Sequence, residues 1–318
     1  MYYPYLRARQ FELIALRELV TESKHENLVI PIIEPVKKSF NGLNKANEIF
    51  HENRFSPYLI INPLKGDIAG DTNIIAEYLH SLENCSFRPA FHITNNADYI
   101  RRTIQNYDLT DCMLICLDGF RDNESLRELC EDTEIGELAV LEPQKYRSLN
   151  LYLKELGKPF IRMDDVFEKQ KRNADYLAIP ANKLTEEHLY YRDEGYTGFS
   201  DFTVLPSEFI IGGATPRAVV IHLSYINENE NSEIWIRHFT SESGRGDTAN
   251  VQGKFKEAAQ KALVFCEAEN FNNSAIAELR DYYENEKYPG LGVIKKISIK
   301  NHLIIVRDFL LERHEEHM

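Results

Sequence analysis

Long apolar runs are what this 318-residue chain most lacks. No stretch approaches the roughly 20 apolar residues that span a bilayer, so no membrane segment is expected. The opening MYYPYLRARQ has no apolar core of the kind a secretory leader needs, which points to a cytoplasmic protein. Cysteine is scarce: there are five, an odd number, in apolar or helical contexts. Cys112 and Cys116 lie four apart on one predicted strand and share a face. No second pair or nearby histidine completes a zinc set, so reduced core thiols are expected.

Positive charge is also short, with 37 Lys and Arg against 50 Asp and Glu, a net charge of −13. That balance opposes non-specific nucleic-acid binding and leaves only a local basic groove as a route to it. A glycine-rich phosphate turn is missing after the first apolar strand, where the sequence runs IIEPVKKSFNG. Its absence counts against a doubly wound dinucleotide-binding sheet, the runner-up fold. No low-complexity segment or charge block appears apart from the RHEEHM end, which reads as a frayed tail.

The chain does have ample core material, 43% hydrophobic and 11% aromatic, enough to exclude global disorder. The segment LVIPIIEPV, residues 28–36, is an unbroken apolar run that ends in a carboxylate and a proline. Such runs mark strands buried on both faces, and proline ends the ladder by removing a donor. The pattern recurs in YLIINPL (58–64), RPAFHITN (88–95), CMLICLDGF (112–120), ELAVLEP (137–143), KPFIRMDDVF (158–167), GFSDFTVL (198–205) and RAVVIHLSYI (217–226). Most of these precede a helical pattern.

Eight strands at about 25- to 30-residue spacing predict an α/β fold, a single (β/α)8 TIM-type barrel. A polar turn, NENENS, joins the eighth strand to SEIWIRHFT in an added antiparallel β-hairpin, and a helical C-terminal segment follows. The expected organisation is one domain over 1–318. Residues 1–27 form a lead-in and helix, 28–226 the barrel, and 227–318 the hairpin and the helices packed on it.

The opening also carries a resemblance. Tyr2, Pro4, Leu6, Arg7 and Arg9, then Glu12, Ala15 and Leu16, then Pro31, Ile32 and Glu34 fall at characteristic spacings. They match Tyr-x-Pro-x-Leu-(Lys/Arg)-x-(Lys/Arg), Glu-x-x-Ala-Leu and Pro-Ile-x-Glu. The chain thereby resembles the bacterial and phage family known as beta protein. The resemblance is most specific over the first 40 residues and implies a barrel of about this length. It also implies a phage, mobile-element or antiviral defence setting, and a protein partner encoded nearby is a separate expectation that goes with the scaffold reading below. It supplies no catalytic residue.

In a parallel barrel, chemistry gathers at the C-terminal ends of the strands. Reading those ends gives Glu34, Asn62, His92, Asp118, Glu142, Arg162 with Asp164, Asp201 and His222. Several carboxylates cannot share a small site near neutral pH without a cation or raised pKa values. One solution is a divalent ion, Mg or Mn, held by Glu34, Asp118, Glu142 and Asp164. The alternative is pairwise neutralisation by Arg162, Lys65 and the histidines, leaving one acid for proton transfer.

The metal solution predicts a metal-dependent hydrolase of a phosphate-containing or other anionic small substrate. Glu34, His92, Glu142, Arg162, Asp201 and His222 would be its catalytic groups. Asn62, Lys65 and Arg245, the last in the loop SGRGDT, would contact the substrate. The rival reading is a non-catalytic barrel that serves as sensor or scaffold for a separately encoded effector. Bland roles stand beside each of these. Asp118 before Gly119 also suits a turn, strand histidines also suit a core, and the tyrosine-rich start also suits a plug.

Overall fold

The computed structural model describes residues 1–22, 28–70, 73–118, 124–210, 212, 217–243 and 248–316. The chain divides into two compact units. The first comprises Met1–Leu13, Val20–Asp165 and Glu187–Phe202, and the second Ile14–Leu19, Val166–Glu186 and Thr203–Met318.

Eight parallel strands build the first unit: β1 (Tyr5–Arg7), β2 (Ile32–Glu34), β3 (Tyr58–Ile60), β4 (Arg88–His92), β5 (Cys112–Cys116), β6 (Ile135–Leu141), β7 (Phe160–Asp164) and β9 (Gly198–Asp201). They pair in chain order. A parallel bridge between Tyr2 and Phe199 joins the first strand to the last. Two hydrogen bonds flank it, from Tyr3 N–H to Phe199 O at 2.8 Å and from Phe199 N–H to Met1 O at 3.1 Å. The ring is thus a nearly closed barrel. Helices α1 (Gln10–Glu22), α2 (Asn41–Glu52), α3 (Ile74–Ser81), α4 (Ala97–Tyr107), α5 (Glu124–Glu131) and α6 (Arg147–Glu155) alternate with its strands. The fold is the (β/α)8 barrel that the repeating strand–helix pattern predicts.

Strand membership differs from the sequence reading at both ends. Tyr5–Arg7 is a barrel strand and not a lead-in, so 28–36 supplies the second strand and 198–205 the last. Residues 217–226 leave the barrel altogether. Their core becomes β10 (Val220–Asn227), which pairs antiparallel with β11 (Glu233–Thr240) and forms the expected hairpin. An unforeseen strand, β8 (Ala181–Thr185), pairs with β11 and completes a three-stranded sheet. Buried apolar runs look alike in parallel and antiparallel sheets, so periodicity could not separate the two.

Side chains alternate across each strand, and the inward set fills the barrel: Tyr3, Tyr5, Ile32, Tyr58, Ile60, Ala90, Met113, Ile115, Ala139, Ile161, Met163 and Phe202. The barrel is a packed core, not a channel. At its N-terminal end the Arg88 guanidinium lies 3.9 Å from the Tyr58 ring centre and reaches Asp111 at 3.3 Å and Glu137 at 3.4 Å. Burial pushes the Glu137 carboxyl up, only partly offset by Arg88. Gly198 is needed here, because a Cβ would sit 2.5 Å from the Tyr3 ring.

In the second unit, α8 (Val251–Ala268), α9 (Ser274–Glu284) and α10 (Leu291–Glu316) accompany the three-stranded sheet. Asn250 and Asn273 cap α8 and α9 through their side-chain oxygens. Helix α10 is pinned to β10 by polar contacts, Asn301 to Ser224 O at 2.9 Å and His302 to Ser224 Oγ at 3.1 Å. Its buried Lys296 and Lys300 meet Glu18 at 2.7 and 3.0 Å. Among the described residues no helix is long and apolar enough to cross a membrane.

Candidate functional site

Most of the rim residues named from the sequence stand at the C-terminal ends of barrel strands. Glu34 and Asp164 are the last residues of β2 and β7, and His92 is the last of β4. Asp118 and Glu142 lie just beyond β5 and β6, and Asp201 ends β9. Sharing a rim is not sharing a site. Strand alternation sends these side chains to opposite faces, and each finds different partners.

Facing inward at the mouth are Arg7, Glu34 and His92, at 9%, 1% and 1% exposure. The Arg7 Nε lies 3.6 Å from Glu34 Oε2, and His92 Nε2 lies 3.8 Å from Glu34 Oε1. Glu34 Oε1 also accepts the Leu64 N–H at 2.9 Å, and Tyr5 Oη stands 3.1 Å from His92 Nε2. Burial works against the Glu34 charge, yet His92, Arg7 and the Leu64 amide together hold its pKa below the ordinary value. The same burial, with the Glu34 charge, pushes the Tyr5 phenol well up.

Asn62 fixes His92 from the backbone side. Its Nδ2 donates to His92 O at 2.9 Å, and its Oδ1 accepts His92 N–H at 2.8 Å. The side-chain amide thereby extends the β3–β4 ladder past Ile60. Asn62 is a positioning group here.

Arg162, Asp164 and Asp201 have the outward parity. Arg162 donates to Asp164 at 2.8 Å and reaches Glu194 at 2.6 Å and Glu187 at 2.9 Å, tying the short helix α7 (Glu187–Tyr190) and its following turn to β7. Burial lifts the Asp164 pKa, against the pull of Arg162. Asp201 accepts the Tyr2 hydroxyl at 2.6 Å. The shared face of Arg162 and Asp164 was legible from their spacing. That this face lies outside the barrel was not.

The remaining candidates separate further. Glu142 adopts a left-handed backbone, φ +47°, and pairs with exposed Lys145 at 2.5 Å. Asp118 and Lys65 are exposed. Arg245 and Gly119 lie outside the described residues. His222, expected on the barrel rim, sits on β10 in the second unit. There its Nδ1 is 2.7 Å from His238 Nδ1, the residue directly opposite on β11.

The His238 Nε2 lies 2.9 Å from Asn182 Oδ1, while Asn182 Nδ2 donates to Lys183 O at 2.9 Å. That second bond orients the amide, so His238 carries its proton on Nε2 and accepts at Nδ1 from His222. Tyr176 and Phe167 wall the pair, with Tyr176 centroids 4.5 and 4.8 Å from His238 and His222. Burial depresses both pKa values, to about 3 for His222 and about 4 for His238.

A divalent ion does not fit the four acids proposed for it. Glu34 is inward and paired to Arg7, Asp164 is outward and paired to Arg162, and Glu142 is paired to Lys145, while Asp118 is exposed. Among the described residues no three of His, Cys, Asp or Glu come together as a metal set. Of the groups named for pairwise neutralisation, Arg162 faces Asp164 and His92 faces Glu34, whereas Lys65 and His222 meet none of these acids among the described residues and Arg7 stands beside Glu34. Tyr5, Arg7, Tyr2 and His238 were missed as partners. The period-two alternation of Tyr3, Tyr5 and Arg7 was the available signal for the first two. Neither protein-family models nor curated proteins show a match to this chain.

Proposed function

We propose that this chain is a partner-binding barrel, a sensor or scaffold for a separately encoded effector. The phage or mobile-element defence setting implied by the beta protein resemblance is part of that proposal. The supporting observation is the barrel mouth, where Glu34 is 1% exposed and already answered by Arg7, His92 and the Leu64 amide. A carboxylate so buried presents little surface to a substrate or an attacking water. Hydrolysis of an anionic substrate would need either converging acids around a cation or uncompensated positive charge at the rim. Of the rim acids, Glu34, Glu142 and Asp164 each face a cation of their own, Arg7, Lys145 and Arg162, and Asp201 takes the Tyr2 hydroxyl, so they offer no shared cation site.

Thermal melts with millimolar MgCl2 or MnCl2, and with chelator, test the reading. A protein that does not hold the ion gains nothing from it, so the melting temperature should agree within about 1 °C. A rise of several degrees, together with metal-dependent cleavage of phosphodiester or nucleotide substrates, would restore the metal-dependent hydrolase.

A further inference from the structure

The second unit carries a groove of about 600 Å³ formed by the β10–β11 turn, the α8–α9 turn and the end of α10. Its apolar part comes from Tyr225, Ile226, Phe271, Ile304, Ile305 and Phe309, and its acids are Glu228, Glu269, Asp308 and Glu312. Among the described lining residues the one cation, Arg313, lies over the Phe309 ring at 4.9 Å. Several acids elsewhere on this unit are matched within the chain, Glu233 to Lys183, Glu242 to Lys261, Glu267 to Arg280 and Glu286 to Lys256. In the groove, Asp308 is answered by Arg307, and among the described residues Glu228 takes only the Ser232 hydroxyl. Glu269 and Glu312 have no cation partner among the described residues.

We propose that this groove docks a cationic segment of a partner protein, with Lys or Arg side chains around one large apolar anchor. The inference rests on the scaffold reading above and names the chemistry of its partner. The apolar floor would take the anchor, as grooves take the buried face of a peptide. Glu269 and Glu312 would take the flanking charges, and the amides of Asn229, Asn270 and Asn272 can meet main-chain groups. Complementary charge would also speed encounter and make it salt-sensitive.

Fluorescence anisotropy on the full chain tests this with a fluorescein-labelled Lys/Leu peptide, its Glu/Leu and Lys/Gly counterparts, and spermine as competitor. The Lys/Leu peptide should bind saturably, both counterparts at least about ten-fold more weakly, and spermine should not displace it. Glu269→Lys combined with Glu312→Lys should weaken binding at least about ten-fold. Both positions are exposed, so the fold should survive, and circular dichroism checks that it does. Glu48→Lys with Glu52→Lys, an equal change of net charge on exposed α2 positions, should leave the Kd unchanged.

Absence of saturable binding, equal binding of the Glu/Leu peptide, or full binding by the Glu269→Lys, Glu312→Lys variant overturns the proposal. Displacement by spermine overturns the peptide as occupant. A metal-raised melting temperature would instead overturn the scaffold reading and leave this Kd as it is, so the two failures are separable.

Discussion

The barrel mouth and the three-stranded sheet bury titratable groups in opposite ways. At the mouth, Glu34 stays charged under 1% exposure because Arg7, His92 and an amide face it. In the sheet, His222 and His238 stay neutral, because each is desolvated and a single shared proton links them. A buried charge is tolerated only with partners, whereas a buried imidazole can shed its charge. The first solution depends on a partner's presence, the second on the pH.

The sharpest break of that comparison is Glu34→Gln. It leaves the Arg7 guanidinium buried opposite a neutral amide, and removing one member of a buried pair costs about 3 to 5 kcal/mol. Urea or thermal denaturation should show a loss of that size. If Glu34→Gln were neutral or stabilising, the Glu34–Arg7 pair would not be what holds the mouth together.

Acid should separate the two regions next. An unfolded histidine takes up a proton near pH 6.5, whereas the folded pair takes one only near pH 3 to 4. The pair's contribution is therefore complete above pH 6.5 and drains away as pH falls toward 4. Glu34, with its folded pKa depressed, keeps its contribution down to about pH 4.5 and loses it only below. Trp235, the only tryptophan, sits on β11 and reports on the sheet. Urea midpoints followed by its fluorescence should fall between pH 6.5 and 4, and His222→Phe should flatten that slope by about half. An unchanged slope in the variant would show that the pair does not govern the sheet's acid response.

The smallest expected effect is at Glu142. Its partner Lys145 is exposed, and such pairs contribute on the order of 0.2 to 1 kcal/mol. Glu142→Gln should shift the denaturation midpoint by no more than that, with or without metal. A loss as large as that of Glu34→Gln would erase the contrast between covered and open ion pairs on this rim.

Much of the barrel is legible in the sequence, and the elements that are not share a cause. Strands from Ile32 to Asp164 announce themselves through apolar runs cut by a carboxylate, an amide or a proline. Strand β1 is three residues long, too short to register as a strand beside the helix that follows it. Strand β10 carries the same apolar signal as a barrel strand, and only its partner β11 reveals the difference. At the candidate site, spacing gave the rim positions of Glu34, His92 and Asp164. It could not give Glu34 its Arg7 or Asp201 its Tyr2, 199 residues away in sequence.

What the sequence determined by itself is therefore local: where strands begin and end, which residues share a face, and that the rim would be rich in acids. What only the tertiary structure decided is which face is enclosed and who stands opposite. Period-two alternation assigns Arg162 and Asp164 to one side and Met163 to the other, but it carries no label for inside. That label is set when Tyr2 bridges to Phe199 and the sheet nearly closes on itself, leaving Met163 in the core and Asp164 outside with Arg162. The charge pairs follow from that closure, since a buried carboxylate must find its cation among whichever strands are brought beside it.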